Sequence, residues 1–428
     1  MLATPDMIRE AAQPERLSEL LPRWLDEVPL YRRHRAAADT AALGLTSLPG
    51  FHGLPLIDKG DIRRGFPRNF LRDGVELDDL LDRELVEVEH TSGTSEVRTP
   101  LLLGLGWWAE QEARALRLNR FVAETLEAFP EARRVTINSP VCSGDICYSG
   151  APALADRIVG NALYTSLSRH PFLWSESDLA RMAAEAVDWQ PQFLDVDPVY
   201  GALFARYCER RQIQLPSLRF ILASYEFVCV THRRILERAF GVPVFNFYGS
   251  TETGHLLMEG ERGEMLPSLD TAFLEVVAAD HQGAGDLIVT TLTNEYMPLL
   301  RYRIGDLVER REEPYRTSYL VHGRAADAFW TPAGRRVTTL QIDRNFADVP
   351  GILHYQLRQE SEREWRLRYV PDNHPPATLD LRRLRDRLAD LLQINSGLVM
   401  QETDALLAEN SGKFRLGYPQ VSTADRVD

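Results

Sequence analysis

Residues 192–248 read QFLDVDPVYGALFARYCERRQIQLPSLRFILASYEFVCVTHRRILERAFGVPVFNFY, and this stretch decides the fold. Segments 192–196, 219–224 and 242–248 are short apolar runs of strand length. Segments 199–211 and 232–240, which separate them, have helical length and composition. Strands alternating with helices of this size predict βαβ units and a parallel sheet. Ligands in such sheets bind beyond the carboxyl ends of the strands, which points to the segment directly after 248.

Working outward, 85–89 (LVEVE) alternates like a strand and runs into a Ser/Thr/Gly turn, 107–127 has helical composition, and 134–138 (RVTIN) reads as a buried strand. The first 50 residues look helical, with LSELLPRWLDEV as an amphipathic stretch. From Thr271 the chain is strand-rich, more like a β subdomain than another crossover. Beyond Asp327, 353–360 and 365–370 predict a hairpin and 379–392 a helix, before a tail ending in Asn410-Ser-Gly-Lys413. The expected fold is α/β. A large N-terminal domain, 1–325, carries parallel βαβ sheets and a β subdomain, and a small α+β domain spans 326–428.

The 428 residues are 44% hydrophobic and 26% charged, the profile of a globular protein with a large core. A net charge of −13 argues against a general nucleic-acid or anionic-membrane binder. No apolar run approaches a membrane span and the start lacks a signal-peptide core, so a cytoplasmic protein is expected. Cys142, Cys147, Cys208 and Cys229 form no C-x-x-C pair and read as small buried hydrophobes. Lysine occurs only at 59 and 413, so nearly all of the 49 basic residues are arginine. A coding bias explains the skew, yet each remaining lysine offers a compact, mobile point charge that a guanidinium does not.

Several motifs are weak or absent. Gly104-Leu-Gly106-Trp-Trp-Ala109 fits a dinucleotide fingerprint, but Trp107 and Trp108 fall where a pyrophosphate must approach the backbone. No G-x-S-x-G elbow and no Walker loop occur. What remains is a series of polar, glycine-containing loops. Thr91-Ser-Gly-Thr-Ser95 follows a strand and can turn hydroxyls and N–H groups on a polyphosphate. Tyr248-Gly-Ser-Thr-Glu252 follows the last strand of the quoted stretch, and its carboxylate suits a magnesium ion shared with substrate phosphates. Tyr302-Arg-Ile-Gly-Asp306 offers a carboxylate on a tight turn for ribose hydroxyls. Gly323-Arg324 offers a guanidinium for phosphate or ribose. As alternatives, Glu252 caps a helix at Thr253-Gly254, Asp306 is a plain turn residue, and Lys413 is a solvated tail lysine.

In this order, and with a lone lysine near the end, the loops resemble those of the adenylate-forming superfamily of acyl-CoA synthetases, adenylation domains and luciferases. The likeness is to its phenylacetate–CoA ligase branch, and also rests on Val28-Pro-Leu-Tyr31, Leu56-Ile-Asp-Lys59-Gly-Asp61-Ile62-Arg63 and Leu218-Arg-Phe-Ile…Glu226. The resemblance implies that Thr91, Ser92, Gly93, Thr94 and Ser95 clamp the ATP phosphates. It places Ser224, Tyr225 and Glu226 beside adenine, and Asn246, Phe247, Tyr248, Gly249 and Ser250 over the base and towards the acyl pocket. Thr251 would contact the α-phosphate, Glu252 the magnesium, and Asp306 the ribose with help from Arg324. Asp327 matches the hinge and Lys413 the adenylation lysine; Lys59 matches a motif lysine whose role the sequence does not explain. The phosphate loop departs from the family's usual Thr-Gly-Lys-Pro, continuing instead as Ser95-Glu96-Val97-Arg98.

The implied activity is ATP- and magnesium-dependent activation of a small carboxylic acid as its acyl-adenylate, with transfer to coenzyme A, a carrier protein or an amine. Trp107, Trp108, Tyr225 and Phe247 favour an aromatic or flat acid, of the kind handled in secondary metabolism. Two other classes stay open: a nucleotide-binding regulatory or scaffold protein without turnover, and a nicotinamide enzyme using the 104–109 glycines. The sequence leaves the acid, the acceptor and any homodimer unspecified.

Overall fold

The computed structural model describes residues 5–37, 48–91, 98–140, 152–314, 316–361, 363–372, 380–394 and 397–420. It falls into two compact units: Met1–Ala123 with Tyr248–Leu320, and Glu124–Phe247 with Val321–Asp428.

The second unit contains the quoted stretch up to Phe247. Arg134–Ile137, Phe193–Val196 and Phe220–Ala223 lie parallel in that order, Ala162–Tyr164 flanks the first, and the start of Val244–Ser250 flanks the last. The middle strands are apolar along nearly their whole length because helices cover the sheet; Leu194, Ile221 and Ala223 are fully buried. Helix Pro198–Arg211 starts where Asp197 accepts from the Val199 and Tyr200 amides with proline next, a strong start signal. Gly201 on that helix lies so close to Val196 that a Cβ would sit 2.7 Å from its Cγ2. Helix Val230–Phe240 ends at Gly241 in the left-handed region. Cys208 and Cys229 are buried free thiols, as expected; Cys142 and Cys147 lie outside the described residues.

The expected C-terminal hairpin pairs Ile352–Gln359 with Trp365–Pro371. Leu398–Glu402 and Gly417–Tyr418 add parallel edges, and Leu384, Leu388 and Leu392 of helix Leu381–Leu392 are buried. This layer shares its core with the 124–247 segment: Leu353, Val370, Leu406 and Phe414 join the parallel-sheet cluster. Asp343 receives the Val230 amide at 3.0 Å and the Tyr355 hydroxyl at 2.9 Å, so it caps a helix far from it in sequence. Arg238 bridges Glu209 and Asp372.

His232 and His354 stack in the same seam with ring nitrogens 3.1 Å apart, fully buried, each with its other nitrogen lacking a partner. Burial lowers His232 to about 3 and His354 well below its ordinary value. Both are therefore neutral in the fold, whereas unfolded they titrate near 6.5. The native state binds fewer protons below that pH, so the stability their neutrality confers is present above about 6.5 and lost on acidification. The loss is about 2 kcal/mol per histidine at pH 5. Burial raises Asp343 to about 6 and Asp197 to about 7, and both act in the opposite sense. A His232→Leu/His354→Phe variant should therefore melt relatively higher than wild type at pH 5 than at pH 8. Equal differences at the two pH values would refute the buried neutral pair.

The named strands of the first unit pair antiparallel, and those beyond Thr271 form the β subdomain expected there. Ala272–Val277, Ala284–Thr291 and Tyr302–Glu313 form a meander, Met265–Pro267 pairs with Gly254–Glu259, and Val86–His90 pairs with Pro100–Gly104. The 107–127 segment is helical as expected, in two helices, Trp107–Leu116 and Arg120–Ala128. Tyr31 is buried in a backbone role: its hydroxyl donates to Pro298 O at 2.7 Å and accepts from the Leu300 amide at 2.9 Å. Among the described residues no helix is long and apolar enough to cross a membrane.

Candidate active site

In the first unit, three of the motif segments converge on Glu252. It sits in the turn between Val244–Ser250 and Gly254–Glu259, so the chain continues into a strand and the helix-capping alternative falls away. Gly249 tolerates no side chain here, since a Cβ would lie 2.3 Å from Gly254 O. Segment 57–59 is stitched to the start of Tyr302–Glu313 by Ile57 N to Arg301 O and Arg303 N to Ile57 O. A capping box between Asp58 and Asp61 then starts a helical turn at Lys59. The result places Lys59 Nζ 3.0 Å from Glu252 Oε1, and the Tyr302 hydroxyl donates to the same oxygen at 3.0 Å.

Glu252 is buried, which opposes its charge. The Lys59 ammonium, helped by hydrogen bonds, outweighs that cost and holds the carboxyl below its ordinary value. An ionised oxygen donor of this kind fits a hard divalent cation. Among the described residues no cluster of three or more metal-ligating side chains occurs.

Asp306 lies in the same unit, and its setting differs from the tight turn expected. Register passes from Asp286↔Leu307 to Ile288↔Arg303, so the 303–307 stretch bulges, with Gly305 at φ +92°. The bulge presents Asp306, whose Oδ2 accepts the Tyr248 hydroxyl at 2.6 Å.

A second constellation lies wholly in the other unit, around Lys413. Its Nζ donates to Tyr225 O at 3.1 Å, and Glu226 accepts the Phe414 amide. Ser224 Oγ and the Tyr225 hydroxyl occupy the two oxygens of Asp195, at 2.8 and 2.9 Å. Burial pushes Glu226 well above the ordinary carboxylate range, with Asp197 adding to the shift and Lys413 opposing it.

Of the other expected residues, Thr91 is buried and accepts the Thr99 amide on its hydroxyl at 3.1 Å. Ser92, Gly93, Thr94 and Ser95 lie outside the described residues. Asn246 and Phe247 are on the strand Val244–Ser250, half-buried and buried respectively. Ser250 Oγ is 3.0 Å from Thr253 Oγ1, and Thr251 is half-buried in that turn. Arg324 is exposed, and Asp327 ends a short 3-10 turn with Arg415 Nε 2.8 Å from Oδ1. Gly106, at φ +77°, precedes the first helix residue, Trp107, whose indole packs on Gly254 and donates to Thr293. Sequence reasoning missed the partner of Lys59 and the parts played by Asp195 and Asp197. Lysine scarcity and the family motif around Lys59 were the signals for the first.

No family model matches the chain. Curated relatives do. Phenylacetate-coenzyme A ligase of Thermus thermophilus is 24% identical over 431 residues, covering 92% of this chain and 91% of its own. That of Escherichia coli K12 is 25% identical over 374 residues, covering 81% and 78%. Among solved structures, 2-hydroxyisobutyryl-CoA ligase in the postadenylation state, in complex with R3-HIB-AMP, superposes with a TM-score of 0.71. It is 17% identical and covers 99% of this chain and 91% of its own. An anthranilate CoA ligase in complex with anthranoyl-AMP gives 0.52 at 13% identity, over 78% and 66%. With its loops in this order and this fold around them, the chain is similar over most of its length to phenylacetate–coenzyme A ligases and shares the fold of 2-hydroxyisobutyryl-CoA ligase.

Proposed function

We propose that this chain activates a small carboxylic acid with ATP and passes the acyl group to the thiol of coenzyme A. In the first step a carboxylate oxygen bonds to the α-phosphorus, the bond to the bridging oxygen breaks, and pyrophosphate leaves. In the second, the thiol sulfur attacks the acyl carbon, its proton is lost, and AMP departs with the electron pair. The observation that carries this reading is the pair of charge centres on family motif positions: the ionised Glu252 with Lys59, and Lys413 on its loop.

Two anions meet in the first step, so the protein's task is neutralisation and orientation. Glu252 would hold magnesium, which when bound supplies positive charge to the phosphates. Lys59 neutralises the buried carboxylate, Asp306 receives ribose hydroxyls, and Lys413 brings a point charge to the α-phosphate. No side-chain nucleophile is required. The segment beyond Asp327 turns as a mobile domain between the steps, and the acid is aromatic or flat. A carrier-protein thiol or an amine is the alternative acceptor.

ATP–pyrophosphate exchange across a panel of carboxylic acids, followed by thioester detection with coenzyme A, tests the proposal. Nucleotide binding without exchange for every acid would instead support a regulatory protein. Within this reading Asp306→Ala should raise the apparent constant for ATP by roughly 10- to 100-fold with a smaller change in the maximal rate, the loss of charge-assisted hydrogen bonds. An unchanged constant for ATP would remove Asp306 from the ribose site.

A further inference from the structure

The Lys413 loop is seated in a preformed socket on the 124–247 segment. Its backbone closes on itself through Gly412 N to Glu409 O and Glu409 N to Lys413 O, both 2.8 Å. Three successive carbonyls are then met from outside the loop. Asn410 O takes Arg169 Nη1 at 3.2 Å, Ser411 O takes Ser139 Oγ at 3.2 Å, and Gly412 O lies 3.0 Å from the Tyr200 hydroxyl. Gly412 is at φ +80°, and a Cβ there would fall 1.9 Å from Ser139 Oγ, so only glycine seats this turn.

The floor of the socket is strained in a way that serves the lysine. Tyr225 is a bulky residue at φ +72°, a conformation that persists only where its surroundings enforce it. Asp195 supplies the enforcement by accepting the Ser224 and Tyr225 hydroxyls on its two oxygens. Tyr225 is held while its carbonyl receives Lys413 Nζ, and the next residue, Glu226, takes the Phe414 amide. We propose that Glu226 and the Asp195–Tyr225 pair are positioning residues, which lock the Lys413 ammonium in place for adenylate formation and have no part in acyl transfer. This rests on the reading of Lys413 as the adenylation lysine, and it gives 225–226 this task in place of the adenine contact implied by resemblance.

The two-lysine composition provides a direct probe. Reductive methylation with ¹³C-formaldehyde labels only Lys59, Lys413 and the amino terminus, and Lys→Arg variants assign the two lysine signals. In Glu226→Ala the Lys413 signal should move to the position of a free, solvated lysine, and in Glu226→Gln, whose amide oxygen still accepts, it should stay. Pyrophosphate exchange by the unlabelled Glu226→Ala protein should fall on the order of 10- to 100-fold through misplacement. The Gln variant should recover most of the rate. Transfer from supplied acyl-adenylate to coenzyme A and the apparent constant for ATP should each remain within about twofold of wild type. Should Glu226→Ala not fold, Tyr225→Phe decides by the same measurements, with the same direction and a smaller size.

An unmoved Lys413 signal overturns the proposal, as does parallel loss of exchange and transfer. A raised constant for ATP with an intact maximal rate would also overturn it, by placing Glu226 at the base. If wild type exchanges with no acid, the acid-activation reading fails, while the Lys413 signal still decides the socket.

Discussion

Lys413→Ala is expected to reduce acyl-adenylate formation by on the order of 10²–10³ while ATP still binds, because the variant loses one preorganised cation aimed at developing charge. The structure gives the expectation a local basis. Lys413 is held by its backbone loop and by the Tyr225 carbonyl, so the ammonium is fixed before substrate arrives. Its removal also leaves the buried Asp197 and Glu226 without the cation that opposes their raised pKa values, and both become easier to protonate. That change favours the protonated, neutral site and should leave the fold intact, which a thermal melt at pH 7 checks. Lys413→Arg should fail nearly as badly, since a planar fork does not fit a seat shaped for a single point donor. Exchange by Lys413→Ala within a few-fold of wild type would sink the assignment.

Local pattern made much of the fold legible. Buried parallel strands such as Phe193–Val196 and Phe220–Ala223 carry their signal in nearly every residue, because both faces are covered. Their intervening helices announce themselves by Asp197-Pro198 at one start and Gly241 at one end. Long-range pairing was far less legible. Nothing local says that Lys59 meets Glu252, since the pairing is set by Ile57 bridging to Tyr302. The bulge that presents Asp306 was read as a turn because glycine at positive φ serves both, and only the partner strand's register tells them apart. Trp107 suggested a flat ligand, whereas its indole packs on Gly254 and reaches Thr293, the satisfied-core setting that tryptophan usually finds. Glu226 was assigned by family position alone, and its partner, a backbone amide, carries no side-chain signature in the sequence.

The second large effect separates the two members of the Glu252–Lys59 pair. Glu252 is almost fully buried, with 4% side-chain exposure, whereas Lys59 keeps 32%. Removing the lysine therefore strands a buried carboxylate, while removing the carboxylate frees an ammonium that water can reach. Lys59→Ala should lower stability by roughly 3 kcal/mol, the cost of an uncompensated buried charge. The Tyr302 hydroxyl then stays on Oε1 without the ammonium, and the Glu252 carboxyl should titrate higher. Glu252→Gln should unfold close to wild type, yet its adenylation rate should drop on the order of 10²-fold with a weakened response to magnesium. A Lys59→Met/Glu252→Gln double variant should recover stability relative to Lys59→Ala and remain inactive. Melting curves give one axis, and exchange rates over a magnesium titration give the other. If high magnesium makes Glu252→Gln indistinguishable from wild type, Glu252 is no metal ligand. If Lys59→Ala melts like wild type, the ion pair is not what keeps this carboxylate charged.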